Sequence, residues 1–270
     1  GSPAEKAGLL VGDMIISVEG ESVADIGYSF ALVKMQGEKG TKASFVVLRD
    51  SETIEFSVKR ATITQLNVAG RMNDDGVTGI IRIEEFDTTT PKQFKSEIEK
   101  LIDDGAERFV FDVRNNPGGD LDSIVEILDY LLPKGPIIRI EDKDGNETTI
   151  DSDKEHLDMP MAVLTNGGTA SAAELFTATF RDYNIGKVVG TTTFGKGSMQ
   201  SILSLEYFGL EGALKLTTNM YFPPCGESYE GIGIVPHVEV ELDEALKNKN
   251  IYEFTDAEDN QLQAAIETLK

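Results

Sequence analysis

Three features of the chain predict an α/β fold, a mostly parallel sheet flanked by helices, preceded by a small α+β module. From about residue 61, strand-patterned and helix-patterned segments alternate. RFVFDVR (108–114) and MAVLT (161–165) are nearly continuous apolar runs of the kind covered on both faces, and each leads into a glycine-containing loop followed by helix-forming residues. Strand, helix, strand in that order implies right-handed crossovers, and sites in such sheets form in the loops that leave the strands. At 270 residues the chain exceeds the usual single-domain size, so residues 1–60 are read as one module and 61–270 as a second.

In the first module, a short helix near Pro3–Ala7 stops at Gly8, and MIISVEG (14–20) alternates as a strand. Residues 22–35 are expected to form one helix with Ile26, Phe30, Val33 and Ala31 on its buried face. ASFVVL (43–48) and TIEFSVKR (53–60), separated by RDSE, form a hairpin pattern. In the second module, GIIRI (79–83) is a strand. A helix over 88–105 is expected, with Thr90 as its cap, Pro91 in its first turn, Gly105 at its end and a stripe of Phe94, Ile98, Leu101 and Ile102. After strand 108–114 come the loop NNPGGD (115–120), an apolar helix from Leu121 to Leu132, a polar hairpin (134–158), strand 161–165 and a helix following Ser171. The last third reads as strands at 187–190, 201–206, 213–222 and 238–242, then a charged helix from Ala257.

Composition narrows the function. The net charge of −22 opposes phosphate backbones and anionic lipid surfaces, so no nucleic acid is expected as partner. No apolar run approaches the roughly 18 residues that span a bilayer, so no membrane insertion is expected of this stretch. The single cysteine, Cys225, has no internal disulfide partner, and no CxxC or paired-histidine spacing suggests a metal site. The opening GSPAEKAGLLVGDMI reads like the middle of a domain and shows no signal-peptide pattern; the expectation is a fragment, with any leader or anchor lying upstream.

The candidate chemistry centres on Ser171. It stands in NGGTASAAE (166–174), where an apolar strand ends, two glycines permit a sharp turn and small neighbours let a substrate backbone approach. At a helix N-terminus its hydroxyl lies where unpaired N–H groups favour a developing oxyanion, although the same position suits a plain capping serine. A serine needs a neighbouring base, and only His156 and His237 offer imidazoles; GTTTFGKGSMQ (190–200) offers Lys196. A lysine, with a reference pKa of about 10.4, becomes a base only when desolvated, and Gly195, Gly197 and Phe194 suit a lysine tucked against apolar backbone as well as a solvated surface one. Gln200 can orient its amine. In FVFDVRNNPGGD (109–120), Gly118 and Gly119 either aim N–H groups at a carbonyl or merely form a turn, and Asp112 with Arg114 can be a structural pair.

Taken together, these blocks resemble the C-terminal processing peptidases, serine proteases with a Ser-Lys pair. GSPAEKAGLLVGDMIISVEGESV and GTKASFVVLRD resemble the interior and later strands of that family's PDZ domain. GIIRIEEF, VFDVRNNPGGDLD, VLTNGGTASAAELF, GTTTFGKGSMQS, LKLTTNMYFPP and GIGIVPHVEV resemble its protease core, in the family's order. The resemblance implies a crotonase/Clp-protease-like core over 61–270 and a partial PDZ domain, truncated at its N-terminus, over 1–60. It implies Ser171 as nucleophile, Lys196 as base, Gln200 as the residue that holds the lysine, and an oxyanion hole of the Gly118 and Ala172 N–H groups. No metal or organic cofactor is implied. The implied partners are protein or peptide substrates, typically C-terminal tails, with a possible homo-oligomer, and the implied location is exported, envelope-associated or extracellular. Where the family usually has aspartate this chain has His237, expected to be structural. Two rivals remain at this point: a non-catalytic ligand- or peptide-binding protein reusing the core, and an acyl-CoA enzyme of the crotonase type.

Overall fold

Chain contacts divide the protein, for which a computed structural model describes residues 1–63 and 65–270, into the units Gly1–Gln65 and Leu66–Lys270. In the first unit α1 (Pro3–Lys6) is capped by Ser2, whose Oγ accepts from the Glu5 N–H at 3.1 Å. Strands β1 (Met14–Val18), β2 (Glu21–Ser22), β3 (Lys42–Arg49) and β4 (Glu52–Lys59) form an antiparallel sheet in the order β2-β1-β3-β4. The β3–β4 hairpin turns through Asp50 and Ser51, both at positive φ (49° and 71°), the handedness that matches the twist of paired strands.

The helix expected over 22–35 is two: α2 (Val23–Ile26) and α3 (Tyr28–Met35), separated by Gly27 at φ 79°. The break resets the helical phase. Ala31 is buried, and Ile26 and Met35 pack on the cluster of Val18, Ala43, Phe45 and Val58. Phe30 and Val33, expected inside, are 68% and 67% exposed.

The second unit is built on a six-stranded sheet in the order β14-β11-β10-β7-β6-β5. Its strands are β5 (Val68–Met72), β6 (Thr78–Ile83), β7 (Arg108–Asp112), β10 (Met161–Thr165), β11 (Gly186–Gly190) and β14 (Val238–Glu239). Only the β5–β6 pair is antiparallel. Between them run α4 (Thr90–Asp103), α5 (Leu121–Leu131) and α6 (Ala172–Tyr183), while α7 (Asn260–Glu267) closes the chain. A second, antiparallel sheet has the order β12-β13-β8-β9, from β8 (Gly135–Asp142), β9 (Glu147–Ser152), β12 (Ser198–Ser204) and β13 (Ala213–Phe222).

Strand alternation explains why the central runs are apolar throughout. Ile81, Phe109, Phe111, Val163 and Val188 join Phe94, Ile98, Ile124, Phe176 and Phe180 in one buried cluster. Their neighbours Ile80, Val110, Ala162, Leu164 and Val189 join Leu262, Ala265 and Ile266 of α7 in another. A sheet buried on both faces needs hydrophobes at both parities. The Phe111 ring touches those of Phe94, Phe109, Phe176 and Phe180, so the strand that precedes the NPGG loop is held by aromatic packing on every side of its core face.

Several boundaries differ from expectation. Thr89, not Thr90, occupies the cap position of α4, and its hydroxyl does not cap. Instead the Asp87 carboxylate accepts from the N–H groups of Thr89 (2.7 Å) and Thr90 (3.1 Å). Ile102 lies at the edge of the helical stripe and is 39% exposed. Of 238–242 only Val238 and Glu239 pair, against Val189 and Gly190. The last helix starts at Asn260 because the side chain of Asp259 caps it. Among the described residues no helix is long and apolar enough to cross a membrane.

His237 acts structurally: its Nδ1 accepts from the Val188 N–H at 3.0 Å, tying the start of β14 to β11. Burial, then the charges of Lys187 and Arg181, lower its pKa below the ordinary 6.5. Protonation removes the acceptor. Because the unfolded chain takes up this proton more readily, the contribution to stability is complete above about pH 6.5 and is lost as the pH falls below it. The stability advantage of the wild type over His237→Phe, followed by thermal unfolding, is therefore expected to shrink between pH 7.5 and pH 5; a pH-independent difference would contradict this role.

Candidate active site

The loops that leave β7, β10 and β11 emerge at the carboxyl ends of parallel strands, and they bring Gly118, Ser171 and Lys196 to one cavity of about 520 Å³. Ser171, Ala172, Gly118, Lys196 and Gln200 all line it. Its floor is apolar, with Leu121, Ile124, Ile138 and Leu175. Among the described residues neither histidine lines this cavity. His156 is exposed, its ring Nδ1 lying 3.3 Å from the Lys154 carbonyl oxygen.

Ser171 precedes α6 at φ 57° and ψ −122°, a conformation that costs a non-glycine residue roughly 1–3 kcal/mol. Ser171 and Glu174 form a capping box at this helix end, with the Glu174 carboxylate accepting from the Ser171 N–H. What holds the turn is Glu174, fully buried one turn into α6. Its Oε2 accepts from the Ser171 N–H at 3.0 Å and from the Lys196 N–H at 2.7 Å; its Oε1 accepts from the Gly195 N–H and the Thr193 hydroxyl, each at 2.6 Å. One carboxylate oxygen thus bridges the main chains of the serine and the lysine. Sequence reasoning passed over Glu174, although SAAE (171–174) has the spacing of a capping box and carried the signal.

Lys196 is half-buried, and its Nζ donates to Gln200 Oε1 at 3.3 Å. Among the described residues no hydrogen bond joins it to the Ser171 hydroxyl. The main chain around it is fixed on every side: the Gly197 N–H donates to Glu230 (2.5 Å), and the Lys196 carbonyl accepts from the Tyr221 hydroxyl (2.7 Å). Phe194, expected to shelter the amine, is 65% exposed and turned outward. Tyr221, a second residue that sequence reasoning missed, is buried in the cavity wall.

The NPGG loop abuts the serine directly. A Cβ on Gly118 would stand 2.7 Å from both Ala170 O and Ser171 Cβ and 2.8 Å from the Ala172 nitrogen, so only glycine fits at this positive φ of 100°. The Gly118 N–H, expected in the oxyanion hole, has a partner in this conformation. That N–H donates to the buried Asn116 Oδ1 at 2.8 Å because the asparagine folds back over its own turn. Among the described residues the N–H groups of Ala172 and Gly119 meet no acceptor.

Comparison with known proteins shows the family and the fold. The model of peptidase family S41 matches residues 77–240, and that of the PDZ domain matches 1–49. A "Probable CtpA-like serine protease" of Staphylococcus aureus (strain N315) is 35% identical over 245 residues, 89% of this chain and 48% of its own length. A namesake from Staphylococcus saprophyticus is 34% identical, over 49% of its length. The chain spans about half the length of the curated relatives it matches. Among solved structures, a photosystem II D1 C-terminal processing protease superposes with a TM-score of 0.59 at 28% identity, covering 89% of this chain and 66% of that one. A Bacteroides fragilis protein assigned to the S41 proteases shares the fold, with a TM-score of 0.64 at 20% identity over 99% of this chain and 75% of its own.

Glu174→Gln sets an amide NH2 against two of the four donors whichever way it turns. The substitution is expected to destabilise the second unit by about 2–4 kcal/mol in urea unfolding and to open residues 191–197 to proteolysis. Wild-type stability in this variant would mean the carboxylate is not the tether.

Proposed function

The chain belongs to peptidase family S41, whose model spans residues 77–240, and from that premise we propose that it is a serine endopeptidase that cleaves unstructured or C-terminal tails of proteins by a Ser-Lys mechanism. The observation that carries the reading is the Glu174 oxygen shared by the main chains of Ser171 and Lys196 at the wall of one cavity, an arrangement a ligand-binding scaffold does not require.

In the proposed reaction the Ser171 Oγ attacks a peptide carbonyl carbon while the neutral Lys196 amine takes the hydroxyl proton. The tetrahedral oxyanion is met by the Ala172 N–H and by the NPGG turn, where the Gly119 N–H is free and the Gly118 N–H becomes so once it leaves Asn116. Collapse breaks the C–N bond, the lysine returns its proton to the leaving amine, and water with the same base releases the acyl group. Gln200 holds the amine between these steps. In the resting arrangement the amine faces Gln200, so a side-chain rotation precedes attack. The PDZ-type unit is proposed to present or restrain the substrate tail, at an exported or envelope location.

Ser171→Ala and Lys196→Ala are each expected to lower kcat on an unstructured polypeptide by at least about 10³-fold with unchanged circular dichroism. Lys196→Arg should not rescue, since guanidinium stays protonated. Because a neutral amine is required, turnover should climb from pH 6 toward pH 9; a maximum at acidic pH would contradict the mechanism, as would labelling of Ser171→Ala by a fluorophosphonate serine probe.

A further inference from the structure

Tyr221 closes the cavity from β13, 25 residues downstream of the lysine, and reaches both candidate loops. Its main-chain N–H donates to the Gly197 carbonyl at 3.0 Å and its hydroxyl to the Lys196 carbonyl at 2.7 Å, so two successive carbonyls of the lysine loop rest on one residue. The ring is 5% exposed and packs edge-on against Tyr229, with 5.9 Å between centroids. Ser171 lines the same cavity as the phenol. Burial raises the phenol's pKa, so it keeps its proton over the working range. A phenol has one proton to give. That proton is committed to the Lys196 carbonyl.

We propose that Tyr221 is a positioning residue of the Ser-Lys reaction: its hydroxyl and main-chain N–H anchor the Lys196–Gly197 main chain and so fix where the lysine stands in the cavity it shares with Ser171. The proposal rests on the Ser-Lys reading. It assigns Tyr221 no contact with the scissile bond and no proton transfer to substrate; its effect passes through the lysine it positions. Glu174 and Tyr221 then divide the task, the carboxylate holding the Lys196 N–H and the phenol holding its C=O.

Tyr221→Phe keeps the ring and deletes the hydroxyl. Expected is a fall in kcat of about tenfold or more with KM within about twofold of wild type, and a matching fall in the rate of Ser171 labelling by a fluorophosphonate. An unchanged kcat with a superimposable pH profile overturns the proposal. A second measurement does not depend on that variant folding: in the wild type the Tyr221 hydroxyl proton, held by the Lys196 carbonyl, should exchange slowly enough with water to be seen by NMR, and a rapidly exchanging hydroxyl overturns the proposal equally. A wild type that neither turns over nor labels at Ser171 removes the Ser-Lys reading and this proposal with it, whereas an active wild type with an indifferent Tyr221→Phe removes the proposal alone.

Discussion

A single buried carboxylate organises the candidate site. Glu174 has no solvent contact, and a carboxylate withdrawn from water is costly unless its lone pairs are filled. Here both oxygens are filled, by three main-chain N–H groups and one hydroxyl drawn from two separate loops. Charge-assisted bonds of this kind are about twice as strong as neutral ones. The loop after β11 therefore cannot drift from the N-terminus of α6 without exposing an unpaired buried charge. Thr193 extends the same lock, since its hydroxyl, while donating to Glu174, accepts from the Ile234 N–H at 2.7 Å.

The sheet supplies the platform for that lock. Parallel strands β7, β10 and β11 deliver their loops at one edge, and the Phe111 cluster keeps β7 from sliding under them. At the carboxyl end of β7 the Arg114 guanidinium is 3% exposed and bonds Asp112, Asp259 and Gln261. Despite burial, which opposes charge, Arg114 holds Asp112 below the usual carboxylate range. Such a group adds little net stability when intact, yet losing one member leaves a buried charge unpaired. Its structural use is registry: it joins the strand before the NPGG loop to the cap of α7, which covers the opposite face of the sheet.

Much of this was legible in the chain, for reasons that differ by residue. The apolar runs at 108–114 and 161–165 announced buried strands because both faces of the sheet are covered, and Ser171, Lys196 and Gln200, which line one cavity, could be singled out because each sits in a short block with its own local signature. The PDZ-type helix was misread because periodicity assumes one continuous phase, and Gly27 breaks it. That the Gly118 N–H rests on Asn116 could not be read from the chain, because which way a peptide N–H turns in a Gly-Gly loop depends on a side chain that competes for it. Tyr221 left no mark at all. Nothing in ALKLTTNMYF separates it from a strand aromatic, and its meaning arises only when β13 folds back beside the lysine loop.

The clamped main chain also limits how such a site can change state. The Lys196 N–H is held by Glu174 and its carbonyl by Tyr221, the Gly195 N–H donates to the other Glu174 oxygen and the Gly197 N–H to Glu230, and the Ser171 N–H shares the oxygen that binds Lys196. Moving either backbone would break several of these bonds together, whereas the Lys196 amine is tied to Gln200 through one bond of 3.3 Å. The soft coordinates are therefore side-chain torsions on a rigid frame. A substrate entering the cavity needs to supply only the small free energy of exchanging one long hydrogen bond, and the strain held in the Ser171 backbone is already offset by the Glu174 bonds before any peptide arrives.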